Sequence, residues 1–454
     1  MSERTTTPPT HSSAPPSHDG LPVIGNTHQL VREQGGLYEA AAERGDVVHL
    51  RILGIGDLYQ INHPDLAERI LAEDCARFQK ATMSQEDLGD LLGQGLVLSE
   101  GEVWKRQRER IQPAFYMDRI AEYAETMAAE TRAAAEDWRG SPTVNAEDEM
   151  KGLTLRILVK SMFGSDLDYE DRGVRETVRA LQEPGQPAKQ PVARMVPKWV
   201  PIPMWRRYKE GIREMEALIE ELVSNRRAEG VGDRDDLLSM LLTGTDEGGE
   251  TMSDTLLRDE MMTFLFAGHE TTATALTFTW YLLGRHPEIQ RRLAEEAEAV
   301  LDDDYATFGD VAELEYTEQV LREAMRLYPP VPSIPRETTE SVELGGYRLP
   351  EGSTVAPMQW TIHRDDRFWD DPETFRPERF AGEDDRPKFA YFPFGGGPRR
   401  CIGQQFALVE GQLILATLAR QYRVTLASDP DVDLSVSITT RPLDPIELRV
   451  EPRE

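Results

Sequence analysis

Phe394-Gly395-Gly396-Gly397-Pro398-Arg399-Arg400-Cys401-Ile402-Gly403 is the stretch from which the rest of the chain can be ordered. It sets one of only two cysteines between a glycine-rich approach and an apolar helical run, Phe406 to Leu418. A sulfur at a helix N-terminus meets unpaired N–H groups and the positive end of the dipole, so this thiol is expected to ionise readily and to bind a metal. Three consecutive glycines carry no Cβ, and the backbone is expected to pass close to something large and flat. Arg399, two residues before the sulfur, suits an anionic group on the same object. A planar iron porphyrin with carboxylate arms meets all of these demands. The bland alternative is a glycine-rich turn before a buried structural cysteine. A phosphate loop is a weaker match, because no Lys-Ser or Lys-Thr follows the glycines.

The segment has the form Phe-x-x-Gly-x-Arg-x-Cys-x-Gly and resembles the haem-thiolate signature of the cytochrome P-450 superfamily, of the soluble prokaryotic type. The resemblance extends from Gly20 to Val450, with further motifs in the family's order. It implies a mainly α fold with a small β part and a long central helix lying over haem b.

Composition agrees with a large folded core. The 454 residues carry 81 acidic against 51 basic side chains, a net charge of −30, with 39% hydrophobic residues. Lysine occurs only eight times, so arginine supplies the positive charge. The acid is spread along the chain and the apolar periodicity is strong, which argues against a disordered acidic chain. A surface adapted to high salt, where short screening lengths quiet carboxylate repulsion, is the reading adopted: a halophilic source. The same charge argues against nucleic acid as a partner. Two cysteines make no disulfide framework, and no signal peptide is visible, so a cytoplasmic enzyme without a stable membrane anchor is expected. Residues 1–20, rich in Ser, Thr and Pro, read as a disordered tail, and 21–454 as one domain.

The periodicity predicts a hairpin from Val47–Leu53 and Leu58–Asn62, then helices at Pro64–Leu71, Glu102–Ile111, Ala121–Trp138, Glu147–Met162, Met204–Glu229, Asp235–Leu242, Ser253–His286, Ile289–Leu301 and Thr317–Leu327. Ser253 is the expected N-cap of the longest. Short strands are expected at Val342–Leu344, Tyr347–Leu349, Thr354–Gln359, Tyr422–Leu426, Leu434–Ile438 and Ile446–Val450.

Within the long helix, Ala267-Gly268-His269-Glu270-Thr271-Thr272 combines glycine, an acid and hydroxyls in mid-helix, where propensity disfavours them. A Thr271 hydroxyl bonded back to Ala267 O would bend the helix and open a notch. The family uses such an acid–alcohol pair at its oxygen site, so the resemblance gives Thr271 the oxygen and water network and Glu270 the gating of protons. Glu323-x-x-Arg326 and Pro377-Glu378-Arg379-Phe380 match two more family motifs, implying a buried network of Glu323, Arg326 and Arg379 that fixes the segment before Cys401. Trp104 and Arg108 share a helix face and match propionate-binding positions, as do Arg336 and Arg399. Phe394 and Gly395 are expected beside the sulfur and the haem. His269 and His363 sit in no metal-binding spacing and read as hydrogen-bonding residues. Cys75 reads as a small buried hydrophobe.

The resemblance implies a monooxygenase that inserts one atom of O₂ into a C–H bond of an apolar small molecule. No flavin or iron–sulfur stretch follows Val450, so a separate ferredoxin-type donor with its reductase is expected to dock on the thiolate side. A peroxide-using or rearranging haem-thiolate enzyme, or a haem-based sensor, is the alternative; the Glu270–Thr271 pair counts against each. Substrate contacts are expected from a loop at Met83–Leu98, from Leu265–Ala267, Val331–Ile334 and the turn at Thr439. Met195 to Trp205 is apolar enough to be a substrate gate at a membrane surface or a packed lid. Fatty acids and isoprenoids both fit, with the Trp104–Phe115 region leaning towards fatty acids.

Overall fold

A computed structural model describes residues 14–165, 174–183, 196, 198–232, 234, 236–245, 249, 251–382 and 385–453. The 32-residue helix Asp254–Arg285 runs through its middle, and the Ser253 hydroxyl accepts the Leu256 N–H at 3.3 Å to cap it. Most of this helix is enclosed on all sides, which explains an apolar run without a single stripe. Helices Ala146–Phe163, Pro203–Glu229 and Glu315–Leu327 pack against it. Helix Gln404–Gln421, which follows Cys401, packs on Met117–Arg139 and touches the central helix. Among the described residues no helix is long and apolar enough to cross a membrane.

The expected hairpin is present as strands Val47–Ile52 and Gly56–Ile61, with Val47 opposite Ile61. They join Thr354–Pro357, Arg336–Thr338 and Phe78–Lys80, in that order, in a five-stranded sheet. The antiparallel register of the last pair sets Lys80 directly opposite Arg336. The remaining strands form small ribbons, among them Leu434–Val436 with Thr440–Pro442, which brings the C-terminal region to the central helix.

Several expectations are corrected. The sequence predicts a loop over Met83–Leu98, but Thr82–Leu92 is helical. That helix contains Gly89 and buries only Leu91 and Leu92, so it has no hydrophobic stripe to betray it. Helices Thr27–Arg32, Gln34–Ala42 and Val174–Gln182 are also additional to the predicted set. The helix predicted at Pro64–Leu71 is α-helical to Glu68 and continues as a π-helical turn, Arg69–Glu73. Residues 14–20 of the predicted tail lie along the first strand: Ser17 pairs with His49, and the His49 N–H donates to Pro16 O at 2.8 Å. Residues 1–13, Asp235 at the start of one predicted helix, and Met195 lie outside the described residues. Cys75 is half-buried rather than buried.

Candidate active site

Cys401 opens into a cavity of about 310 Å³. The loop before it is tied by three backbone bonds, Gly395 N–H to Phe392 O at 2.8 Å, Arg400 N–H to Gly397 O at 3.2 Å and Cys401 N–H to Phe394 O at 2.9 Å. The protein around the sulfur works against the expected ease of ionisation. The Cys401 side chain is exposed to the cavity, yet desolvation by the protein around it raises the thiol above its ordinary pKa, outweighing the Gly403 N–H and the nearby Arg108 and Arg400. A bonded metal cation would supply the missing charge and expel the proton. The glycines also divide differently from the expectation. Gly395, at φ +70°, lines the cavity. A Cβ on Gly396 would stand 2.3 Å from the Phe389 ring, and one on Gly397 would stand 2.0 Å from Leu71 O. Only the first therefore passes the cavity; the other two seat the loop on protein.

Trp104, Arg108, Arg336, Arg399 and Phe394 all line this same cavity. The Arg399 guanidinium lies over Trp104, 4.4 Å from the ring centre. It donates to Ser99 O at 2.9 Å and pairs with Glu100. Arg108 donates to Arg400 O at 2.9 Å and Arg336 to Pro335 O at 3.0 Å. Lys80 joins them in the lining, a residue the sequence reading missed. Burial and the neighbouring guanidiniums of Arg336 and Arg399 hold the Lys80 ammonium well below its ordinary pKa. Burial and Arg399 bring Arg336 down to about 10. Like charges directly opposite on paired strands oppose folding, and Glu100 is one carboxylate against three cations. The cavity edge is thus short of negative charge, and a flat ligand carrying two carboxylates fits it.

The central helix supplies another wall. The Thr271 hydroxyl donates to Ala267 O at 3.0 Å, the back-bond expected from the sequence. Ala267, Gly268, Thr271 and Thr272 face the cavity. Gly268 is also a packing residue, since a Cβ there would come within 2.5 Å of Leu158. Glu270 does not line the cavity. It is buried away from the cavity, where one oxygen meets Arg441 and accepts from the Thr439 hydroxyl at 3.2 Å, while the other has no hydrogen-bond partner among the described residues. The remaining walls are mainly apolar, from Leu96, Val97, Leu158, Phe264, Val331 and Ile334, with Thr263 and Gln359 adding polar groups. Leu265 and Thr439, expected in the lining, are not part of it. Glu410, on the helix that follows Cys401, is a second acid missed by sequence; it is fully buried beside Thr272, and burial holds it well above the carboxylate range.

Behind the sulfur lies the predicted charge network. Glu323 accepts from Arg326 Nε at 2.7 Å and Nη2 at 2.9 Å, and from Arg379 Nε at 3.1 Å. His269 bonds Leu265 O through Nδ1, and His363 Nε2 accepts the Phe392 N–H at 3.1 Å.

A sulfur on the floor of a cavity, cations at one edge and an alcohol-notched helix in the wall define a haem-thiolate oxygenase. The family model described as Cytochrome P450 matches residues 15–447. Cyclooctatin synthase of Streptomyces melanosporofaciens is 35% identical over 91% of this chain and 90% of its own length. Cyclooctat-9-en-7-ol 5-monooxygenase of the same organism is 34% identical over 93% and 94%, and pentalenene oxygenase of Streptomyces avermitilis is 32% identical over 91% of each. The chain belongs to the cytochrome P450 family and is a monooxygenase that binds haem b.

Proposed function

We propose that this enzyme hydroxylates a cyclic terpenoid, with electrons from a separate ferredoxin and its reductase. The observation that carries the substrate class is the likeness to proteins named for cyclooctatin-type compounds and pentalenene, joined to a cavity whose walls beyond the cations are mainly apolar, with Thr263, Thr271, Thr272 and Gln359 as the polar exceptions. This reverses the leaning towards fatty acids: a fatty acid brings a carboxylate, and the cavity's cations would be taken up by the haem carboxylates. Cys401 would bond the iron, Phe394 and Gly395 would flank it, and Trp104, Arg108, Arg336, Arg399 and Lys80 would hold the two propionates. When bound, the haem supplies the activation of O₂ and the oxidation of the C–H bond.

The chain's own residues then handle protons and water. The Thr271 proton is committed to Ala267 O, so its oxygen is free to accept from a water in the notch. Glu270 holds Arg441 through one oxygen and lies outside the cavity lining, so its side chain must turn towards the cavity to relay a proton to that water. On the outer side of the Cys401 loop, a recess of about 380 Å³ is bordered by Arg322, Lys388 and Arg400. Arg322 and Lys388 have carboxylate partners in Glu318 and Glu68, so Arg400 is the cation this recess offers an acidic ferredoxin on a chain of net charge −30. The same net charge supports a cytoplasm of high salt as the working medium.

The test is turnover of cyclic sesquiterpenes and diterpenes, with palmitate as the competing arm, using ferredoxin, reductase and ¹⁸O₂. Labelled terpene alcohol is expected; turnover of palmitate alone overturns the substrate class, and product from peroxide but never from the ferredoxin system overturns the electron route. Thr271→Ala should keep haem and divert electrons to peroxide, and unchanged coupling of product to electrons would remove Thr271 from its role.

A further inference from the structure

His363 follows the short helical turn Gln359–Ile362 and is wholly enclosed, with 0% exposure. It lies outside the cavity lining and outside the Glu323 network, yet it touches both structures that lead to the sulfur. Its backbone oxygen accepts from Arg326 Nη1 at 2.7 Å. Its Nε2 lies 3.1 Å from the Phe392 nitrogen. A backbone N–H can only donate, so Nε2 is the acceptor and the ring proton sits on Nδ1. The ring also packs on Tyr391 and Phe392, with centroids 5.3 Å away in each case.

The bonds continue without a gap. Phe392 O holds the Gly395 N–H at 2.8 Å, and Phe394 O holds the Cys401 N–H at 2.9 Å. A path therefore runs from Glu323 through Arg326 to His363, and from Phe392 and Phe394 to Cys401. The residue type is dictated by the surroundings. Arg326 and Arg364 both stand near the ring, and burial with these two cations holds it neutral, well below the ordinary histidine pKa. A Lys or Arg here would add a cation and offer no acceptor. Tyr391 gives a second tether, from its hydroxyl to Arg322 O at 3.0 Å, but His363 is the one that grips the loop backbone itself.

We propose that His363 is the positioning residue of the thiolate loop: its neutral Nε2 holds the Phe392 N–H and so hands the fixed position of the buried Glu323 network to Phe394 and the Cys401 sulfur. The proposal rests on Cys401 being the iron ligand. The experiment uses purified holoprotein with His363→Gln, whose amide oxygen falls near the Nε2 position, and His363→Leu, which has no acceptor. Each is reduced with dithionite under carbon monoxide, and the decay of the red-shifted band of sulfur-ligated haem to the unshifted band is timed. Stranding a buried N–H should speed that decay about tenfold in His363→Leu, with His363→Gln within about twofold of the parent, at unchanged far-ultraviolet circular dichroism. If His363→Leu does not fold, His363→Phe serves as the acceptor-free variant. Decay in the acceptor-free variant as slow as in the parent, or decay in His363→Gln as fast as in the acceptor-free variant, overturns the proposal. A parent protein with no red-shifted band overturns the ligand assignment, and the role of His363 with it.

Discussion

Glu323→Gln keeps the shape of the side chain and removes its charge. Glu323 accepts four hydrogen bonds, two from Arg326 at 2.7 and 2.9 Å, one from Arg379 at 3.1 Å and one from the Arg376 N–H at 3.0 Å. Glu323 and Arg326 are both 0% exposed and Arg379 is 3% exposed. A glutamine has one acceptor oxygen, and its NH₂ would aim a donor at a guanidinium. Two enclosed guanidiniums lose their counter-charge, and breaking a buried pair from one side costs about 3–5 kcal/mol. An unfolding entropy of roughly 2.1 cal/mol/K per residue, over a chain of 454 residues, makes each kcal/mol worth about 1 °C. The melting temperature of the holoprotein, followed by circular dichroism, should therefore fall by about 3–5 °C. The control is Arg291→Ala, from the exposed pair with Glu295, whose side chains are 64% and 56% accessible; it should shift melting by less than about 1 °C. A Glu323→Gln shift no larger than the control refutes the reasoning.

Lys80→Gln should leave folding intact and speed loss of haem to apomyoglobin several-fold, because a propionate loses one of its cations; an unchanged rate places Lys80 outside the haem edge. Glu260 is enclosed, and burial raises its pKa to about 7 against the usual 4.5, partly offset by the Leu96 N–H at 3.0 Å. The stability its protonated form contributes is complete below pH 4.5 and lost as pH rises through 7, so Glu260→Gln should gain on the parent by on the order of 3 kcal/mol at pH 8 and by little at pH 4 in urea unfolding. Equal gaps at both pH values would contradict the buried-acid assignment. Moving the protein from molar salt to dilute buffer should lower its melting temperature, since 81 acidic residues then repel with less screening; full stability in dilute buffer would remove the high-salt reading.

The sequence was most legible where chemistry forces residue types into short spacings. The Cys401 segment, the Glu323–Arg326 pair and the Thr271 back-bond each lie within one turn or loop, so their geometry follows from the local fold. What escaped depends on distant strands. Lys80 ends a three-residue strand and gains meaning only from Arg336, its register partner. Glu270 looked like a cavity residue because it neighbours Thr271, but successive helical positions diverge, and its partner Arg441 lies 171 residues away. The Cys401 thiol was expected to ionise from its place ahead of a helix; desolvation, invisible in the sequence, works against that. The helix Thr82–Leu92 was missed because it contributes only two buried leucines.

The most direct measurement is the absorption spectrum of the purified haem protein, reduced with dithionite and exposed to carbon monoxide, beside Cys401→Ser. A red-shifted band in the parent, lost in the serine variant while haem remains bound, is expected if the sulfur at 401 is the iron ligand. An unshifted band in the parent, or a red-shifted band that survives the substitution, would contradict it.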